Sequence, residues 1–591
     1  MRTSPHRDES TTRRLRRWVR VGAPVVICAG ALLVMLLTLP ASGMQLHATP
    51  PPPAFPNGIA AGDVTTTTAV LWARSTVTGD LTFAVTSQPT RTARVVDVTR
   101  PVTVVMTGLE PGVEVGYTVT TAFGDSLHGR VRTPAAAGFH GLRFGVSGDW
   151  RGELAPYPAL ANVTARDLDF FVALGDTVYA DVPSPAVDKP QAETAAEFRA
   201  KHAEVYGTHL GMNTWAEIRG DTALFAMVDD HEVMNDFAGG APAADDPRFP
   251  ETDGLVNETV LYARGMQAFM AYNPLAATVY ADAGDARTAG RPQLYRTRTF
   301  GHDAAIFLLD ARSFRDAPIT PLQNQFDLVR FLRDAFTPGR TMLGAPQLAQ
   351  LKVDLLAAQA RGVTWKFIMV PEPVQNLGPI LAQDRFEGYA AERTELLRFI
   401  AENNIDNVVF VAADIHGTLV NNLTYQSGAG MAQQPTDAIE VTTGPVAYDA
   451  PVGPTLMAQA AAAGLLDAAD LAAYRALTTR ADKDAFVLGF VDELLAFLGY
   501  DTVGLAGAPV EAQLLAGDYV SLHAYGWTEF AVDAGTQQLT VTTYGIDPYT
   551  ADDLAATPDQ VTARVPAIVS QFVVTPTRTI DQPQVFLPLV R

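Results

Sequence analysis

Six apolar runs in this chain each end on an acidic residue, and that pattern constrains the fold more than any other feature. Leu142–Ser147 leads to Gly148-Asp149, and Phe170–Leu174 leads to Gly175-Asp176, with Tyr179 three residues on. Ala223–Val228 runs into Asp229-Asp230-His231-Glu232, with Asn235 just after. Ala304–Leu309 ends at Asp310, then Arg312; Phe367–Val370 leads to Pro371-Glu372; Val408–Ala413 ends at Asp414, with His416 two residues on. Short continuous apolar runs read as strands buried on both faces. The longer segments Ala192–Tyr206, Pro321–Ala335, Ala345–Arg361 and Ala390–Asn403 read as helices between them. This alternation predicts an α/β layered domain, in which ligands bind beyond the carboxyl ends of the strands. The reading therefore places six acid-bearing ends, two of them with a histidine, along one edge of one sheet.

Carboxylates at that density repel one another, and bound cations are the natural compensation. Oxygen ligands favour Ca, Mg or Mn, whereas imidazole and phenolate bring in Zn or Fe. Two cations about 3.5–4 Å apart can grip an in-line phosphoryl displacement and sharpen a water into a nucleophile. Asp176 suits a bridging position, because Gly175 permits close backbone approach. Of the ten histidines, His231 and His416 are the two that directly follow long apolar runs beside acids. His202 and His209 read as surface or core-edge residues. Asp310-x-Arg312 reads equally as an internal ion pair or a phosphate clamp, and Glu372 reads as structural. One Asp after a strand is commonly a turn or N-cap residue; co-occurrence at successive strand ends is what points to a site.

The rest of the 591 residues sorts into segments. Residues 1–20 hold seven arginines, followed by the apolar run Val21–Leu39 and the small residues Ala41, Ser42 and Gly43. Residues 1–43 therefore read as an export signal or membrane anchor, with doubled arginines that resemble a twin-arginine signal. The expected location is secreted, periplasmic or at the cell surface, with membrane contact only through this segment. Residues 44–57 are a Pro-rich linker, and 58–135 show short β-branched runs between turn signals, the pattern of a small β-sandwich. Residues 141–548 form the α/β part, with a helical insertion near 457–498 and a closing hairpin, and 549–591 read as a tail. The formal net charge of −21 excludes a nucleic-acid backbone as the main partner. The only cysteine is Cys28, so beyond the N-terminal segment neither a disulfide nor a thiolate metal ligand is available.

Taken together, these segments resemble the PhoD-like family of metal-dependent alkaline phosphatases and phosphodiesterases. The resemblance is carried by FGVSGDW (144–150), LGDTVYAD (174–181), VDDHEVMNDF (228–237), LDARSFR (309–315), MLGAPQL (342–348), FVAADIHG (410–417) and EVTTG (440–444). It implies a four-layer α/β/β/α metallophosphoesterase sandwich of two facing sheets, preceded by a small fibronectin/Ig-like β-sandwich. It also implies metal ligands Asp149, Asp176, Tyr179, Asp230, Asp414 and His416, with His231 as proton donor or phosphate contact and Asn235 and Arg312 as further catalytic residues. Two or more metal ions, Ca, Fe, Mn or Zn, are implied, without the cysteine ligand that family members place in the first motif. The expected substrate is a small phosphate ester, monoester or diester. Alternatives are a phospholipase or nucleotide phosphodiesterase with the same metal site, or a non-catalytic surface protein acting through its β-sandwich.

Overall fold

Alternate residues of the buried strands face different apolar environments, and this two-residue period builds the layers. In the strand Trp365–Met369, Phe367 and Met369 join a core with Phe144, Val172, Ile306 and Val409. Ile368 and the following Val370 face the other way, against Leu351 and Leu355 of the helix Ala345–Ala360 and Leu396 of the helix Ala390–Glu402. The strand Phe170–Ala173 behaves alike: Phe170 and Val172 enter the shared core, while Phe171 and Ala173 meet Trp215 and Ile218 of the helix Thr214–Asp221. Burial on both faces explains why these strands are continuously apolar rather than alternating.

The computed structural model describes residues 53–281, 285–322, 327–379 and 382–577. Residues 1–43, read above as an export signal or membrane anchor, most of the linker 44–57 and the last residues of the tail lie outside them. Among the described residues, no helix is long and apolar enough to cross a membrane. The fold is mixed α/β with an eleven-stranded, a seven-stranded and a four-stranded sheet.

The acid-bearing strands do not share one sheet. Leu142–Trp150, Phe170–Ala173 and Ala223–Ala226 run parallel in the eleven-stranded sheet. Ala304–Leu308, Trp365–Met369 and Val408–Ala412 run parallel in the seven-stranded one. The expected single edge is thus two edges, three strand ends on each. Aromatic rings join the sheets: Phe144 stacks on Phe170 and Phe530 at centroid distances of 4.7 and 4.9 Å and meets Phe367 of the other sheet edge-on at 4.9 Å.

Two segment boundaries also move. Strands Ile59–Gly62, Thr68–Ala73 and Val102–Thr107 extend the eleven-stranded sheet, because Ile59–Gly62 pairs in parallel with Ala223–Ala226. A Cβ on Gly62 would sit 2.2 Å from the Leu224 carbonyl oxygen, so only glycine fits this junction. The remaining N-terminal strands make the separate four-stranded sheet. At the other end, Ala567–Thr575 lies between Glu511–Gly517 and the hairpin strand Leu539–Ile546, so the sheet runs past residue 548 into the segment expected to be a tail. The insertion is three helices, Val452–Ala462, Ala468–Ala476 and Arg480–Leu498; Asp467 and Thr479 cap the second and third.

His202, expected near the surface, is fully buried in the helix Ala195–Val205, its ring stacked near Tyr272. Burial, helped by the nearby Arg219 charge, pushes its pKa down to about 3. A depressed histidine contributes its stability above its unfolded pKa of about 6.5, and that stability is lost as pH falls toward the folded value. His202→Phe is expected to flatten the fall in melting temperature between pH 7 and pH 4, read by circular dichroism at matched ionic strength; a fall as steep as in the parent chain would refute this assignment.

Candidate metal centre

At the strand ends the backbone reverses sharply. Asp149, Asp176, Asp414 and His416 have φ of 60, 52, 62 and 57°, left-handed values that non-glycine residues adopt at a cost of about 1 kcal/mol or more each. Such clustered strain is characteristic of residues aimed at a ligand. Gly175 makes the reversal before Asp176 possible: its φ is 109°, and a Cβ there would lie 2.6 Å from the Asp229 Cβ. The close approach expected of this glycine is thus one between two acid-bearing loops.

Glu232 ties those loops together. Its carboxylate accepts from the Asp176, Thr177 and Asp229 amides at 3.2, 2.7 and 2.9 Å and from the Thr177 hydroxyl at 2.7 Å. Arg312 ties the two sheets. Its guanidinium lies within 2.5 Å of both Asp229 and Glu372 and 2.6 Å of Asp384. Asp230 and Asp414 stand further off, at 3.6 and 3.9 Å. Arg315 adds contacts to Glu372 and Asp384 at 2.7 and 2.9 Å. Both arginines are wholly buried.

Even so, negative charge is left over. Among the described residues, neither carboxylate oxygen of the buried Asp149 has a hydrogen-bond partner, nor has Oδ1 of Asp230 or Oε2 of Glu372. Buried carboxylate oxygens without donors are strongly disfavoured unless a cation faces them. Among the described residues, two groups bring ligand atoms within 4.8 Å of one another: Asp176, Asp230 and His231; and Asp229, Glu372 and Asp414. Burial, reinforced by neighbouring carboxylates, pushes Asp176 and Asp414 well above the usual carboxylate range. Burial pushes Glu372 up to about 7 against the opposing pull of Arg312 and Arg315. A site that raises its own acids in this way favours positive charge, and its oxygen-rich donors with imidazole fit hard or borderline cations.

The sequence-predicted residues meet here in different ways. The Tyr179 hydroxyl donates to Asp176 Oδ2 at 3.2 Å, and its ring lies 4.1 Å from that of His231. His231 places Nε2 4.0 Å from Asp176 Oδ2, while its Nδ1 is 2.6 Å from Asp181. His416 Nε2 is 3.4 Å from Asp149 Oδ1. Asn235 is exposed, and it is its backbone amide that donates, to Asp181 at 2.7 Å. Arg312 makes internal ion pairs, but its partners lie elsewhere than Asp310, which instead accepts from the Arg312 and Ser313 amides. Sequence reasoning missed Asp229 and Glu372 as ligand candidates, and Asp181, Asp384 and Tyr448 altogether. Tyr448 stacks on His416 with centroids 3.7 Å apart. Asp181 had a signal, since it closes the same motif as Asp176.

The mixed α/β fold brings acids and histidines together on two parallel-strand edges, in clusters that could hold metal ions. The model of PhoD-like phosphatases matches residues 146–481, more than half of the sequence, and the chain belongs to that family of phosphoric ester hydrolases. Alkaline phosphatase D of Bacillus subtilis (strain 168) is 28% identical over 340 residues, covering 54% of this chain and 53% of that protein, so the match spans about half the length of the relative. A solved structure described as the structure of PhoD shares the fold, with a TM-score of 0.63 at 20% identity over 90% of this chain and 93% of that one.

Removing Arg312 would leave Asp229, Glu372 and Asp384 buried around an absent charge, which typically costs about 3–5 kcal/mol. Arg312→Gln is therefore expected to unfold at markedly lower urea concentration than the parent chain. Parental stability combined with lost activity would instead identify Arg312 as a substrate contact.

Proposed function

We propose that this protein is an exported, metal-dependent hydrolase of phosphate esters, acting on monoesters, diesters or both. The observation that carries the reading is the set of buried, donor-less carboxylate oxygens on Asp149, Asp230 and Glu372, gathered with Asp176, Asp414, His231 and His416 at the strand ends. Family membership supports the phosphoryl substrate, and the basic, then apolar, amino terminus supports export. The same reading takes the two sheets with their outer helices as a four-layer sandwich and the N-terminal strands as an Ig-like unit grafted onto one of them.

Asp176, Asp230, Asp414 and His416, with Asp149 and Tyr179, would hold the cations. Bound there, cations supply charge neutralisation for the phosphoryl group and activation of a water. The protein's own part is proton management and orientation. Asp181 fixes the ring of His231 through Nδ1. Although burial opposes it, the Asp230 charge and the Asp181 hydrogen bond raise His231 to about 9. In its protonated form the ring would offer its Nε2 proton to the departing ester oxygen as the P–O bond breaks. Glu232 and Gly175 keep the Asp176 and Asp229 loops in register, so the ligands are positioned before substrate arrives.

Asp176→Asn and Asp414→Asn are each expected to stay folded, lose bound metal in elemental analysis and lose at least about 10²-fold in kcat/KM on an aryl phosphate, in line with removal of a principal electrostatic contributor. Metal-free parent protein with full activity in both variants would sink the reading.

A further inference from the structure

We propose that Tyr448 is a positioning residue of the metal centre: the face of its ring holds the His416 imidazole in the orientation that a bound cation requires. This role depends on the phosphate-ester reading and adds to it a residue that acts through a ligand. A histidine that ligates a metal commonly has its second ring nitrogen hydrogen-bonded, which fixes the ring. His231 follows that rule, with Nδ1 2.6 Å from Asp181. His416 does not. Its Nε2 stands 3.4 Å from Asp149 Oδ1, which has no hydrogen-bond partner among the described residues. What the His416 ring meets instead is the Tyr448 ring, stacked at an interplanar angle of 29° and a centroid distance of 3.7 Å.

The half-buried Tyr448 is itself held from several sides. It follows the short strand Pro445–Ala447, which pairs in parallel with Leu142–Trp150, Pro445 opposite Gly148 and Ala447 opposite Trp150. The Arg151 amide donates to the Ala447 carbonyl at 3.0 Å, and the Tyr525 hydroxyl donates to the Tyr448 carbonyl. The Arg151 guanidinium, paired with Glu153 and Asp449, lies over the Tyr448 ring at 5.8 Å from its centroid. Backbone also joins the two ring-bearing loops, since the Val452 amide donates to the His416 carbonyl at 2.9 Å.

The stack crosses the seam between the sheets. His416 follows the strand Val408–Ala412 of the seven-stranded sheet, whereas Tyr448 is anchored to the strand that ends in Asp149 and Trp150, in the eleven-stranded one. Tyr448 therefore sets His416 against the strand end that carries Asp149. It also continues an arc of rings, with its centroid 5.3 Å from that of Tyr179, which lies 4.1 Å from His231. The arc joins the two histidines of the centre across both sheets. A flat aromatic face restricts the tilt of a stacked ring, which an aliphatic side chain of similar bulk cannot do.

The test is calorimetric titration of the metal-stripped full-length protein with Mn²⁺ and, separately, Zn²⁺, in a double-mutant cycle of Tyr448→Leu and His416→Gln with Tyr448→Phe alongside. Leucine keeps bulk and removes the flat face, and phenylalanine keeps the face; Tyr448→Met takes the place of Tyr448→Leu if the latter lacks a cooperative thermal transition. Tyr448→Leu is expected to weaken binding of at least one ion about tenfold, as loss of a group that orients a ligand does, with Tyr448→Phe within about twofold of the parent. In the His416→Gln background the Tyr448→Leu change is expected to weaken binding no further, whereas a merely structural loss would carry over in full. Parental affinity in Tyr448→Leu, equal weakening in Tyr448→Phe, or the whole loss persisting in the double variant overturns the role of Tyr448 and leaves the phosphate-ester reading intact. A parent chain that binds neither ion overturns both.

Discussion

Carboxylates crowded into a dry seam repel one another, and the answer to that repulsion organises this molecule. Asp229, Glu372 and Asp384 arrive from three different loops and converge on one guanidinium, that of Arg312, with Arg315 behind it. Lysine could not substitute: a planar fork contacts several carboxylates in fixed directions, whereas an ammonium is a single point charge. The two arginines offset part of the charge of these three acids and lock one sheet to the other. The outer acids, led by Asp149 and Asp176, stay uncompensated and poised for cations. Structural and functional charge are thus neighbours, separated by which carboxylates the guanidinium groups can reach.

Much of this was legible from sequence, because parallel strands buried on both faces leave a mark that needs no alignment. Six apolar runs ending on acids located the loops, and Gly175 foretold a close approach. What the apolar runs by themselves could not show was partition; only the family resemblance implied two facing sheets. A run such as Phe367–Val370 looks the same whichever sheet it joins, so three strand ends on each of two sheets appeared as six on one. Arg312 was ambiguous for a related reason: its main partners, Asp229, Glu372 and Asp384, are remote in sequence, whereas the nearby Asp310 carboxylate accepts from the Arg312 and Ser313 backbone amides. Asp384 follows no apolar run, and Tyr448 follows only the short strand Pro445–Ala447, so neither stood out. His202 was misplaced because helical position alone does not reveal which face of the helix is covered.

Placing a site on the seam between two sheets has a mechanical side. The distance between Asp176 and Asp414 depends on how one sheet sits over the other, not on either sheet alone. The stack of Phe144 on Phe170 and Phe530, met edge-on by Phe367, fixes that relation deep in the core. Close-packed interiors deform little, so the ligand loops inherit the rigidity of the aromatic layer beneath them. The left-handed backbone at Asp149, Asp176, Asp414 and His416 is tolerable because the surroundings allow no alternative.

The parallel pairing of Ile59–Gly62 with Ala223–Ala226, and the late strand Ala567–Thr575 set between earlier ones, also govern how the chain is made. The end of the great sheet that holds Ala567–Thr575 cannot close until that late strand has been made. Growing chains with such distant pairings keep unpaired strand edges exposed for longer, when aggregation competes with folding. Assembly order, as much as final geometry, is therefore written into the first and last strands.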